Sequence, residues 1–315
     1  MTPDNYVDAV NGCLERENKP MTKISEVSRN WWHEETEGIA FTHALDMKLL
    51  HSEQSPFQKI EIYEHPVFGR VLTLDDLVQA SHADEFMYHE MAVHVPLLGR
   101  KREQASVLIV GGGDGGILRE VLRHKFVTRV VMVEIDQRVV ELSKEYLAIN
   151  GDYDDPRAEL VIGDAADYMR NARSAGDKFD LIILDLSEPV GPSSSVFTRG
   201  FCEDFSACIT DDGVVLDSDS IFVGKDRAYF LQELCGDKDQ NLVSIMQREK
   251  LLPHVAGYRS IVQLYPAAEF GFFLYSKDGH DYSNPVEALT GRHYNEGLHR
   301  AAFALPTWWR ENLGF

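Results

Sequence analysis

From Ala105 to Asp219 the chain repeats one rhythm, a short run of Val, Ile and Leu followed by a helical stretch. The runs are "SVLIV" (106–110), "RVVMVEI" (129–135), "AELVIG" (158–163), "FDLIILDL" (179–186) and "GVVLDSD" (213–219), with segments such as "QRVVELSKEYLAI" and "DAADYMRNA" between them. Strands that read as unbroken apolar runs are buried on both faces. Their alternation with helices predicts a Rossmann-like, doubly wound, mostly parallel α/β sheet. Two later segments, "YRSIVQLYP" and "FGFFLYSK", are expected to pair as an antiparallel addition.

The region before Ala105 follows other periods. Residues 1–30 are polar and aperiodic, and we read them as an extension with one short helix. Residues 31–82 contain "IAFTHALDMKLLHSE", "FQKIEIYEH" and "GRVLTLDDLVQASH", broken at "HPVFG", which predicts a small antiparallel β domain. "ADEFMYHEMAVHVPLLG" reads as a helix, with Phe86, Met87, Met91, Ala92 and Val95 near helical spacing. Residues 83–315 are then expected to form one larger domain, the one that carries the chemistry.

In such a sheet, ligands bind just past the carboxyl ends of the strands. Acids fall at four successive strand ends. Asp114 follows the first parallel strand, Glu134 ends the second, Asp164 follows the third, and Asp185, with Glu188, follows the fourth. Any one of these is equally well a helix cap or a solvated loop residue. Four at successive strand ends point to a ligand rich in hydroxyls, amines or positive charge.

The first strand runs into "GGGDGG", where Gly111, Gly113 and Gly116 match the G-x-G-x-x-G spacing of dinucleotide-binding loops. Glu134 stands at the distance where an acid meets ribose hydroxyls. Asp164, with Ala165 giving close approach, suits an adenine amino group. Asp114 separates the candidates. A phosphate brought to about 4 Å from that carboxylate meets roughly 4 kcal/mol of repulsion at an effective dielectric near 20. A nucleoside carrying a sulfonium and an amine is attracted instead, which selects S-adenosylmethionine or its decarboxylated form. The turn after Asp185, closed by Pro189, Gly191 and Pro192, then offers Asp185 and Glu188 to a polyamine cation.

Charge and composition narrow the class further. With 51 acidic and 31 basic residues the net charge is −20, which argues against nucleic acid, because phosphate contacts need clustered Lys and Arg. Cys13, Cys202, Cys208 and Cys235 show neither metal-ligand spacing nor a secreted framework, so free thiols are expected. The opening residues lack the apolar core of an export signal and no stretch is long enough to span a membrane, so a cytoplasmic protein is the expectation.

The residues "WWHEE", "FQKIEIYE", "LDDLVQASHADEFMYHEM", "GGGDGGILREV", "VEID", "GDA", the D-x-S-E-PVGP turn, "YP" followed by "GFFLYSK", and "RHYNEGLHRAAFALP" together resemble the polyamine aminopropyltransferases, the spermidine synthase family. The resemblance covers nearly the whole chain after about Asn30. It implies a class I methyltransferase-like catalytic fold behind an N-terminal β domain, in dimers or tetramers. It implies a transfer of the aminopropyl group of decarboxylated S-adenosylmethionine to an amine, most often putrescine, with that nucleoside as co-substrate and no cofactor or metal. By the same resemblance Gln58, Glu134, Asp164, Ala165 and Pro192 hold the nucleoside, and Asp114 holds the aminopropyl amine. Tyr88, His89 and Tyr265 wall the amine pocket, with Tyr88 and Tyr265 orienting the nucleophile. Asp185 accepts the proton, and Asp185, Leu186, Ser187 and Glu188 bind the polyamine on a gatekeeping loop.

The chain departs from the family on the acceptor side. The usual D-[ST]-[ST]-D turn is Asp185-Leu186-Ser187-Glu188, the usual IPTYPSG is "VQLYPAA", and "LDSDS" is expected to bring Asp217 and Asp219 close to the site. Spermidine, agmatine or 1,3-diaminopropane therefore stand beside putrescine as acceptors. An S-adenosylmethionine-dependent amine N-methyltransferase, a nucleotide-dependent oxidoreductase and a non-catalytic polyamine sensor remain as other classes. Retention of Asp114 speaks against the first two. Retention of Asp185, Tyr88 and Tyr265 together speaks against the third.

Overall fold

A computed structural model describes residues 31–36, 39–44, 47–149, 151–186, 196, 198–221, 246, 249–265 and 269–313. The expected short helix within residues 1–30 lies outside them.

Alternating apolar residues build the N-terminal sheets. Strands β1 (Trp31–Thr36) and β2 (Ile39–Ala44) pair antiparallel. Strands β3 (Lys48–Gln54), β4 (Lys59–His65), β5 (Gly69–Leu74) and β6 (Leu77–Ser81) form a four-stranded antiparallel sheet in sequence order. Asp75 and Asp76, with φ of 47° and 66°, make the tight turn between β5 and β6, as two-residue hairpins require. One face of this sheet buries Ile60, Ile62, Leu72 and Ala80 against Val139, Leu142, Leu147 and Ile149 of the larger unit.

Helix α1 (Glu85–Leu98) follows and is buried on every side, with 12 of its 14 residues in the interior. A helix without a polar face has to lie within the core rather than on it. The apolar runs then form β7 (Ala105–Gly111), β8 (Val127–Glu134), β9 (Ala158–Ile162), β10 (Phe179–Asp185) and β11 (Ile209–Ile221). Between them lie α2 (Gly116–Leu122), α3 (Gln137–Leu142), α4 (Ala165–Ala175) and α5 (Arg199–Cys208). Strands β12 (His254–Ser260) and β13 (Glu269–Ser276) precede α6 (Glu296–Ala302) and α7 (Thr307–Leu313).

The main sheet has the order β12-β13-β11-β10-β7-β8-β9. The five strands from β11 to β9 are parallel, β13 adds antiparallel to β11, and β12 pairs antiparallel with β13 at the edge. The chain starts at β7, winds outward to β9 and returns to β10 on the other side of β7. The strand order thus reverses between β7 and β10, the place where open α/β sheets bind ligands.

Two expectations change in detail. The late strand runs from His254 to Ser260, and residues 261–265 leave the sheet in a turn. There the backbone N–H of Leu264 donates to Asp84 Oδ2 at 2.7 Å, which draws the segment to the start of α1. The helix expected over 137–149 stops being α-helical at Leu142 and continues as a π turn over Ser143–Leu147. The wider turn and Ala148 at φ 56° deliver Leu147 and Ile149 to the N-terminal sheet.

Candidate active site

The glycine loop is shaped by its neighbours. Gly111 has φ 83°, and a Cβ there would lie 2.0 Å from the carbonyl oxygen of Asp185. The absence of a side chain lets the end of β7 lie directly on the end of β10, where Gly112 N–H donates to that same carbonyl at 3.1 Å. At Gly116 a Cβ would stand 2.2 Å from the imidazole of His89, so α1 and α2 approach there as well. The loop is therefore a packing junction between four elements, and Asp114 lies within it.

Asp114 faces inward. Its Oδ1 accepts the Gly116 N–H at 2.7 Å, and its Oδ2 lies 3.2 Å from His89 Nε2. His89 Nδ1 is 2.6 Å from Glu85 Oε2, one helical turn back on α1. Arg119 of α2 closes the group with two bonds to Glu85, at 3.1 and 2.7 Å. Burial alone would drive His89 towards neutrality. The carboxylates of Asp114 and Glu85 outweigh it and raise its pKa from 6.5 to about 10. Burial likewise opposes the charge on Asp114, and the His89 cation overcomes it, holding the carboxyl below its ordinary value.

Asp185 ends β10 beside this group. Tyr88, also on α1 and 8% exposed, donates its hydroxyl to Asp185 Oδ1 at 2.7 Å and lies 3.1 Å from Ser218 Oγ. Burial and the Asp114 charge push Asp185 from 3.8 to about 6, against the pull of His89 and Tyr88. The site thus contains two carboxylates of different character, one locked in an ion pair and one a weaker acid poised to accept a proton. Tyr265 packs its ring on Phe270 at 5.4 Å, and Phe270 meets Tyr88 edge-on at 5.4 Å. The Tyr265 hydroxyl donates to the carbonyl of Gln79, which ties Tyr265 to β6.

The remaining acids line the other half of the strand ends. Glu134 is buried beside the loop, where a Cβ on Gly113 would lie 2.9 Å from its Oε2. Burial, helped by Asp136 and Asp185, raises it from 4.5 to about 7, although the Asp136 N–H supports its charge at 2.9 Å. Gln58 reaches in from the N-terminal sheet and donates to Asp136 Oδ2 at 3.2 Å. Asp164 caps α4 through the N–H groups of Ala166 and Asp167, at 2.6 and 3.3 Å, with Ala165 buried behind it. Both cap bonds fall on Oδ1, so the cap leaves Oδ2 unused. Leu186 packs on the apolar cluster that includes Leu108, Val110 and Leu184. Ser187, Glu188 and Pro192 lie outside the described residues.

One expectation is corrected. Asp217 does not face the site. Residues 214, 216 and 218 of β11 point to the side of Tyr88, and period-two alternation sends 215 and 217 to the other face. Asp217 there lies 3.4 Å from the Tyr275 hydroxyl, and burial raises it to about 7. The Asp219 side chain lies outside the described residues. Among the described side chains of β11, Ser218 is the one that reaches Tyr88. Counting two residues on from core-facing Leu216 would have found it. Glu85 and Arg119 were also missed, since an i, i+4 Glu–His pair in a sequence looks like an ordinary surface pair.

Residues 85–255 match the model of the spermine/spermidine synthase domain, and residues 30–82 that of the spermidine synthase tetramerisation domain. The chain belongs to the spermine/spermidine synthase family. Among its relatives, the polyamine aminopropyltransferase of Thermoanaerobacter sp. (strain X514) is 38% identical over 280 residues, covering 87% of this chain and 95% of that protein. That of Serratia proteamaculans (strain 568) is 37% identical, covering 82% and 88%. Among solved structures, a spermidine synthase in complex with the transition-state analogue AdoDATO superposes with a TM-score of 0.75 at 32% identity, over 95% of this chain and 99% of that one. Spermidine synthase from Thermotoga maritima gives 0.73 at 31%, over 96% and 99%. Within this family the enzyme class of the chain is aminopropyltransferase, a transferase of polyamine biosynthesis on a methyltransferase-like fold.

Proposed function

We propose that the protein transfers the aminopropyl group of decarboxylated S-adenosylmethionine to putrescine, giving spermidine and methylthioadenosine. The observation that carries this reading is the pairing of Asp114 and Asp185 across the β7/β10 switch point, one an ionised carboxylate and one with a pKa raised to about 6. In this reading Gln58, Glu134, Asp164, Ala165 and Pro192 hold the nucleoside. Asp114 takes the ammonium of the aminopropyl arm, and Tyr88, His89 and Tyr265 bound the amine pocket. The far ammonium of the acceptor lies towards Ser187 and Glu188.

The acceptor nitrogen attacks the methylene carbon next to the sulfonium, the C–S bond breaks, and the sulfur leaves with its electron pair as a neutral thioether. The nucleophile's proton goes to Asp185. An amine near pKa 10.4 and a carboxyl near 4 differ by about 8–9 kcal/mol for that transfer. The lift of Asp185 from 3.8 to about 6 removes about 3 kcal/mol of it. The adjacent sulfonium lowers the amine pKa, and alignment of the two substrates reduces the barrier further. Tyr88 donates to Asp185 Oδ1, leaving Oδ2 for the amine. The sulfonium is already a good leaving group, so no cofactor or metal enters, and the nucleoside is a co-substrate.

We further assign the protein to the cytoplasm, in line with the free thiols of Cys202 and Cys208, and to a homodimer or homotetramer, in line with the tetramerisation-domain match. Among the described residues no helix is long and apolar enough to cross a membrane. The acceptor is tested by competing 1,3-diaminopropane, putrescine, cadaverine, agmatine and spermidine for decarboxylated S-adenosylmethionine. Putrescine is expected to give the highest kcat/KM. A higher value for agmatine or spermidine overturns the acceptor while keeping the donor.

A further inference from the structure

Behind Asp114, on the side away from Asp185, a line of charged side chains enters the core. Glu85 is 6% exposed and His89 2%. Buried charges cost several kcal/mol unless their hydrogen-bonding atoms are all occupied. Here they are. The imidazole lies 2.6 Å from Glu85 through Nδ1 and 3.2 Å from Asp114 through Nε2. Both oxygens of Glu85 also accept from the Arg119 guanidinium, at 3.1 and 2.7 Å, and Asp114 Oδ1 accepts the Gly116 N–H at 2.7 Å.

This geometry settles the charge of the ring. A neutral imidazole has a single N–H and would turn a lone pair towards one of the two carboxylates. Neither carboxyl is placed to carry a proton for it, because a two-pronged guanidinium holds Glu85 in its ionised form and a backbone N–H does so for Asp114. Both ring nitrogens therefore donate. We propose that Glu85, clamped by Arg119, is a positioning residue that holds His89 as a doubly donating imidazolium and thereby fixes Asp114 in the orientation that receives the aminopropyl ammonium. The role rests on the reading of Asp114 given above.

The charged and titratable groups around His89 are Glu85 and Tyr88 of its own helix, Asp114 of the glycine loop, Arg119 of α2 and Asp185 at the end of β10. Asp114 raises Asp185 and His89 lowers it. The imidazolium therefore offsets the repulsion between the two carboxylates and lets both stay ionised while two cationic groups bind. Removing Glu85 frees the ring to lose its proton. Asp114 then loses its fixed partner, and Asp185 becomes a weaker acid.

The test begins with histidine 15N spectra of the wild-type protein without substrate, with the His89 signals assigned by difference from His89→Gln. Both ring nitrogens are expected to be protonated at neutral pH. A bare ring nitrogen there overturns the proposal whatever reaction the enzyme performs. An imidazolium in an enzyme that ignores decarboxylated S-adenosylmethionine would overturn the functional reading and the role of Asp114 with it, while the charge on His89 stands. In Glu85→Gln we expect one ring nitrogen to lose its proton and the acid limb of kcat/KM to move to higher pH. The donor KM should rise by up to about 100-fold, as small misplacements of binding groups do, with the acceptor KM changed less and Glu85→Asp partly restoring it. An unchanged donor KM in a folded Glu85→Gln whose His89 has become neutral removes the positioning role. Should that variant not fold, the wild-type spectrum alone decides.

Discussion

At the residue scale, the site depends on giving two like groups opposite characters. Asp114 and Asp185 lie at neighbouring strand ends, yet one is held ionised by His89 and the other is pushed up to about 6. If Asp185 is the proton acceptor, as proposed, it must be ionised to act, so kcat/KM should rise with pH through about 6 and level off above it, measured under conditions where the amine's own ionisation is accounted for. Asp185→Asn keeps the shape and removes the base, and kcat should fall by about 10²- to 10⁴-fold with the donor KM little changed. A loss below tenfold would give proton removal to another group. Asp114→Asn should act on the donor instead, raising its KM, and should also lower Tm because His89 loses an ion-pair partner in the interior. These two aspartates were legible in the sequence because each stands just past an unmistakable apolar strand. Ser218 and the Glu85–Arg119 clamp were not, because their meaning depends on strand facing and on a helix being buried all round.

At the scale of elements, the glycine loop is where β7, β10, α1 and α2 are brought within contact of one another. Its spacing suggested a phosphate cradle, whereas the structure shows each constrained glycine making room for a protein neighbour. Gly116→Ala places a methyl group 2.2 Å from the His89 ring and must move α1 or the imidazole. It should destabilise by about 1–3 kcal/mol, as overpacking does, and raise the donor KM. Gly163→Ala, with nothing within 4 Å of the added Cβ, should stay within about 0.5 kcal/mol. Thermal melts of the two variants check this, and equal losses would mean the crowding at Gly116 is relieved without cost. The parallel core was readable because buried strands carry unbroken Val/Ile/Leu runs. The π turn at Ser143–Leu147 and the early start of β12 were not, since both are set by what the segment packs against, the N-terminal sheet in one case and β13 in the other.

At the scale of the whole molecule, acidity and ligand charge go together. With a net charge of −20 the protein should attract polycationic acceptors over distance, an effect that salt screens beyond about 8–10 Å. The acceptor KM should therefore rise several-fold as ionic strength goes from about 0.02 to about 0.3 M, and a flat profile would confine the attraction to the buried carboxylates. Those carboxylates also couple binding to stability. Burial raises Glu134 to about 7 and Asp185 to about 6. A carboxyl whose folded pKa exceeds its unfolded one contributes stability at low pH that is lost as pH rises through the folded value. The Tm gain on adding decarboxylated S-adenosylmethionine should therefore be larger near pH 8 than near pH 5.5, where part of the site is protonated. Aminopropyl transfer at the paired acids is read straight from the products by mass spectrometry. With decarboxylated S-adenosylmethionine and putrescine, the account predicts equimolar methylthioadenosine and spermidine, and a rate that collapses in Asp185→Asn. Methylthioadenosine absent with every amine, together with a methylated amine formed from S-adenosylmethionine, would contradict it.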